Sequence, residues 1–124
     1  MKVIYVDADS YARKNMRERL QQLVPEAELR CFDSPESALA LAGAEGCDVL
    51  LTGIDLWSDR FGGIRLAERM KAINPRVNII FVTFYSEKDV ARELFDLRIS
   101  GFISKLYEPQ ELAAEFANLR YPVA

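Results

Sequence analysis

Apolar positions along this chain recur in two alternating rhythms. Val3 to Val6 form an unbroken apolar run that stops at Asp7, the pattern of a strand covered on both faces. Ala12, Met16, Leu20 and Leu23 then follow at intervals of four, four and three, the stripe of an amphipathic helix. Asp9 or Ser10 is placed to cap that helix and Pro25 to mark its end. AELRCF (27–32) reads as a second strand. Ser34-Pro35 supplies an N-cap and a first-turn proline for a short helix expected through Ala42, with release at Gly43. CDVLLTG (47–53) is a third strand. The loop WSDRFGG leads to a helix carrying Ile64, Met70 and Ile73, closed by Asn74-Pro75. VNIIFVT (77–83) is a fourth strand, and a fourth helix is expected with Val90, Leu94 and Leu97 on its apolar face. GFIS (101–104) is a short fifth strand, and Pro109 opens a last helix with Leu112, Phe116 and Leu119 facing inward.

Strands alternating with helices at these spacings imply βαβ units and a parallel sheet covered on both sides. The expected fold is α/β: a three-layer, doubly wound, flavodoxin-like (βα)5 arrangement with a parallel sheet of order 2-1-3-4-5. Residues 1–124 read as one domain without an internal linker.

Composition narrows the chemistry. Net charge is −3 with acids and bases mixed along the chain, which argues against nucleic-acid contact by this domain. There is no histidine, so the commonest general base and zinc ligand are missing. Cys31 and Cys47 lack metal-ligand spacing and read as buried free thiols beside strands. The apolar runs are far too short to span a membrane, and Met1 leads directly into a strand pattern, so a cytoplasmic protein is expected.

In an open α/β sheet, ligands gather outside the carboxyl ends of the strands, near the point where strand order reverses. That rule selects Asp7 to Asp9, Gly53 to Asp55, Thr83 and Lys105. Acids there suit Mg²⁺, while a lysine and a hydroxyl suit phosphoryl oxygens. No Gly-rich phosphate loop follows the first strand, where DADSYARK stands.

The segments IYVDAD, LLTGIDL, FVTFYS and SGFISKLYEPQEL together resemble the receiver domain of two-component response regulators, over essentially the whole chain. The resemblance implies a phosphoacceptor aspartate after the third strand, paired acids after the first, a switch threonine, a switch aromatic and a lysine. Here these fall on Gly53, on Asp7 and Ala8, on Thr83, on Phe102 and on Lys105. The family's Lys-Pro is Lys105-Leu106, and a cis bond before a non-proline residue costs about 3 kcal/mol, so trans is expected. Glycine has no side chain to accept a phosphoryl group, and Ala8 removes a carboxylate that Mg²⁺ would use. The reading that follows is a pseudo-receiver, with catalysis absent and Mg²⁺ weakly bound or not bound, leaving Asp7 and Asp55 as weak ligand candidates.

A second register stays open. Asp55 lies eight residues before Gly63, a spacing also found in ordinary receivers, and this would make Asp55 an active acceptor. It requires two extra residues in the third strand, whereas an insertion in the WSDRFGG loop is easier to absorb. A small-molecule-binding flavodoxin-like module is the third alternative. Plainer roles exist for several of these residues. Asp7 and Lys105 suit an ion pair filling the pocket, Thr83 suits strand propensity, and Asp9 suits capping. Trp57 and Phe61 are expected over the pocket or its rim, and Phe102 is expected to sit inward.

In the family, the surface of the fourth helix, fifth strand and fifth helix often forms dimers. Here it would carry Asp89, Arg92, Glu93, Asp96, Lys105, Glu111 and Glu115, so a protein partner or homodimer through that face is expected. Mixed charge of this kind is also what any solvated helix face shows. The NLRYPV tail resembles receivers that continue into a DNA-binding output domain of a transcriptional regulator.

Overall fold

The computed structural model describes residues 1–124. Its core is one five-stranded parallel sheet of order β2-β1-β3-β4-β5. The strands are β1 (Lys2–Val6), β2 (Glu28–Phe32), β3 (Val49–Thr52), β4 (Asn78–Thr83) and β5 (Gly101–Ser104). The four α-helices are α1 (Ser10–Leu23), α2 (Pro35–Glu45), α3 (Gly62–Ile73) and α4 (Pro109–Asn118).

Strand parity sorts the core into two layers. Ile4, Val6, Leu50, Ile79 and Phe81 pack with Ala38, Leu39 and Ala42 of α2 and with Ile64, Leu66, Ala67 and Met70 of α3. Val3, Tyr5, Val49, Leu51, Ile80 and Val82 pack on the opposite side with Met16 and Leu20 of α1 and Leu112 and Phe116 of α4. This is the three-layer, flavodoxin-like arrangement expected from a period-2 alternation between two buried faces. No helix is long and apolar enough to cross a membrane.

Side-chain caps set the starts of α1 and α2. Asp9 accepts from the Tyr11 N–H at 3.0 Å to start α1, and Ser34 accepts from the Ser37 N–H ahead of Pro35 in α2. The expected release at Gly43 does not occur. A helix interior tolerates one glycine, and the chain turns instead at Gly46, whose φ of 86° is left-handed and whose N–H donates to the Ala42 carbonyl at 2.8 Å. In α3 the buried face is Ile64, Leu66, Ala67 and Met70, while Ile73 at the last turn is exposed.

The expected fourth helix is also corrected. Only a 3₁₀ turn, Lys88–Val90, is regular, and turns continue to Asp96. Leu94 N–H donates to Val90 O, but Phe95 and Leu97 donate to Arg92 and Leu94, one position nearer. Val90 and Leu94 are buried as expected. Apolar residues four and three apart reach the core from either winding, so the pattern could not separate the two.

Candidate functional site

At the carboxyl edge of the sheet, β1 and β3 end side by side. Val6 is paired with Thr52, and the Gly53 N–H donates to Val6 O at 3.0 Å. Gly53 therefore stands directly beside Asp7. A Cβ built on Gly53 would lie 3.6 Å from Asp7 Oδ2, ordinary contact distance, so the space for a side chain is open.

Asp7 is 1% exposed and its carboxylate is fully engaged by the chain itself. Lys105 Nζ donates to Oδ1 at 3.0 Å and lies 2.9 Å from Oδ2. The Tyr5 hydroxyl donates to Oδ2 at 2.6 Å, and the Asp9 N–H donates to Oδ1 at 3.0 Å. Burial of this kind is tolerated because each lone pair has a donor. Tyr5 is pushed far above its ordinary range, first by burial and then by the Asp7 charge, so it remains a neutral donor. The sequence reading missed Tyr5; its signal was parity, since residues two apart in β1 face the same side.

Asp55 lies beyond β3 and is exposed. Its Oδ1 accepts from the Phe61 N–H at 3.0 Å and its Oδ2 from the Tyr85 hydroxyl at 2.8 Å. Tyr85 was also not singled out from sequence. The Asp55 hydrogen bond, more than burial, raises its pKa. Phe61 has φ 63°, a left-handed conformation costing a non-glycine residue roughly 1 kcal/mol, and its N–H bond to Asp55 offsets part of that. The Phe61 and Tyr85 rings meet at 6.0 Å, and the Arg60 guanidinium sits 4.7 Å above the Phe61 ring.

Residues 56–59 form a tight excursion in which Leu56 and Asp59 exchange two backbone hydrogen bonds of 3.0 and 2.9 Å. Gly63 follows, its N–H on Ile54 O at 2.7 Å; a Cβ there would overlap the Gly53 carbonyl. Trp57 does not cover the pocket. It is 66% exposed and its Nε1 donates to Asp33 O at 2.8 Å, which points it toward the β2–α2 loop. Phe61 does not line the cleft either; its ring packs on Tyr85, which does.

Thr83 is buried and its Oγ1 accepts from the Tyr85 N–H at 3.1 Å. Phe102 is half-buried and faces Phe81 at 6.2 Å. Ile54, Asp55, Thr83, Phe84, Tyr85 and Lys105 line an open cleft of about 350 Å³ with Asp89 at its edge. Ala8 adds no functional group. The Lys105–Leu106 bond is trans, since the chain has no cis peptide. On the charged face, Lys105 is turned in toward Asp7 rather than presented outward, with its side chain 19% exposed. Glu115 is half-buried over Gly101, where burial raises its pKa. Cys47 is buried and Cys31 only half-buried, both free.

The family model of the response regulator receiver domain matches residues 3–117, and the chain belongs to that family. The cyclic di-GMP phosphodiesterase response regulator RpfG of Xanthomonas campestris pv. campestris is 25% identical over 121 residues, 96% of this chain and 32% of that protein. The methanol utilization control regulatory protein MoxX of Paracoccus denitrificans is 26% identical over 72 residues, 58% of this chain and 32% of that one. The chain thus spans about a third of the length of these relatives. Among solved structures, the N-terminal domain of a response regulator/sensory box/GGDEF protein from Carboxydothermus hydrogenoformans superposes with a TM-score of 0.83 at 19% identity, covering 97% of this chain and 94% of that one. A CheY-like receiver from Methanospirillum hungatei gives 0.82 at 20%, covering 95% and 91%. Those two likenesses establish the shared fold.

The Mg²⁺ associated with the family needs carboxylate oxygens with free lone pairs. Asp7 spends its oxygens on Lys105, Tyr5 and Asp9, residue 8 is alanine, and Asp55 is held by Phe61 and Tyr85. No group of three acidic, histidine or cysteine side chains is placed to hold a metal ion. Every oxygen of the Asp7 and Asp55 carboxylates thus has a hydrogen-bond partner within the chain.

Proposed function

We propose that this domain is a pseudo-receiver: a response-regulator receiver that signals through protein contact without being phosphorylated. The observation that carries the reading is Gly53, which follows β3 directly beside Asp7, at the place where the acceptor carboxylate of an ordinary receiver belongs. β3 pairs regularly through Thr52, and a tight excursion closed by Leu56 and Asp59 follows it, where added residues are easily absorbed; this supports the loop-insertion register over the one that makes Asp55 the acceptor. Asp55 is further disfavoured because both of its oxygens already accept hydrogen bonds.

In this reading Lys105 neutralises Asp7 permanently, and the pocket needs neither Mg²⁺ nor any other cofactor. Thr83 has no phosphoryl oxygen to meet and Phe102 stays on Phe81. Signalling then passes by a partner or a second copy at the face made by residues 88–97, β5 and α4. The two longer relatives, each named as a regulator, support a fused output region and a cytoplasmic role.

Trp57, the only tryptophan, reports on the excursion that follows Asp55 in the chain. Titration of its fluorescence with Mg²⁺, then with beryllofluoride as a phosphoryl mimic, is expected to be flat. Saturable changes in both steps would sink the reading, because they require a working carboxylate.

A further inference from the structure

One side chain reaches both loops at the carboxyl edge of the sheet. Asp55 takes the backbone N–H of Phe61 on the β3–α3 loop and the hydroxyl of Tyr85 on the segment after β4. Tyr85 is fixed from the other side by its own N–H on Thr83 Oγ1, and its ring leans on Phe61. Its next neighbour, Ser86, exchanges hydrogen bonds of 3.0 and 3.2 Å with Asp89, which open the 3₁₀ turn. Any movement of Tyr85 is therefore passed directly to the start of that turn.

The segment after that turn has few other restraints. It lacks an α-helical ladder; Val90 and Leu94 are buried in the core and Leu97 packs partly against it. Phe84 and Phe95 on either side are 72% and 86% exposed. We propose that the Asp55–Tyr85 hydrogen bond is a clasp between the two loops, and that it holds residues 84–97 in one of two positions open to them.

A hydrogen bond to an ionised carboxylate is stronger than a neutral one, yet a single such bond can be released by any group that competes for Asp55 in the open cleft. Release lets the Tyr85 ring swing away from Phe61 and frees the 84–97 segment to take a second position. Asp55 lines the same cleft as Thr83 and Lys105, but Tyr85→Phe leaves every carboxylate of that cleft in place, so the clasp is tested separately from the silence of Gly53.

Amide hydrogen exchange on the whole chain tests this, comparing wild type, Tyr85→Phe, Asp55→Asn and the double variant. Both single variants are expected to exchange about tenfold faster over residues 84–97, the scale of one lost charge-assisted hydrogen bond. The sheet amides of β1 and β3 should be unchanged, and the double variant should be no faster than the faster single one. Tyr85→Phe keeps the Phe61 bond to Asp55, so it isolates the clasp. Unchanged exchange in Tyr85→Phe, additive effects in the double variant, or acceleration throughout the sheet would each overturn the proposal.

Discussion

Lys105 Nζ stands 3.0 Å from one carboxylate oxygen of Asp7 and 2.9 Å from the other, joining the ends of β5 and β1 across the edge of the sheet. Removing the lysine leaves a carboxylate that is 1% exposed without its counter-charge. Lys105→Met is expected to cost about 2–4 kcal/mol in urea unfolding, toward the lower end because the lysine retains some water. A loss below about 0.5 kcal/mol would mean that the pair is solvated, as at an open surface.

Tyr5→Phe removes the 2.6 Å donor to the same carboxylate and nothing of the ring packing. The expected loss is about 1.5–3 kcal/mol, the range for a hydrogen bond to a charged group. Combined with Lys105→Met, the two losses should not add, since both act on one carboxylate.

Two glycines of the site make opposite predictions. A Cβ at Gly53 meets only ordinary contacts, so Gly53→Ala should be neutral or stabilise by up to about 1 kcal/mol through the unfolded chain. Gly63→Ala drives a Cβ into the Gly53 carbonyl and should cost about 2–3 kcal/mol. Gly53→Asp fits sterically but sets a second carboxylate against Asp7, so it should melt below Gly53→Ala and recover with Mg²⁺, while wild type shows no Mg²⁺ dependence. Thermal melts of the four proteins with and without Mg²⁺ check all three statements.

Alkaline pH should weaken the fold. Burial pushes the Cys47 thiol from its ordinary 9.0 up to about 12, and burial with the Asp7 charge raises Tyr5 above its ordinary 10.0. Both groups stay protonated when folded, whereas the unfolded chain loses these protons first. Their contribution is complete below about pH 9 and lost progressively as pH rises toward 12. Urea midpoints should fall over that window, and Cys47→Ala should flatten part of the slope. A midpoint constant to pH 11 would contradict the assignment.

The layers were legible in the sequence because each strand alternates between two buried faces and each helix stripe is regular. Gly53 and Lys105 were legible because a strand's carboxyl end fixes which residues converge. What escaped lies where pattern carries no direction. Trp57 and Phe61 share one loop, yet left-handed backbone at both residues sends one ring to Asp33 and the other to Tyr85. The stretch 88–97 has a helical stripe without a helix, because burying Val90 and Leu94 does not specify the winding. Tyr85 was invisible as a partner of Asp55, since a hydrogen bond between two loops leaves no spacing to read.

The most direct measurement is the intact mass of the purified chain after incubation with acetyl phosphate and Mg²⁺. The pseudo-receiver account predicts that wild type keeps its unmodified mass. A gain of one phosphoryl group, abolished by Asp55→Asn, would contradict it and make Asp55 the acceptor.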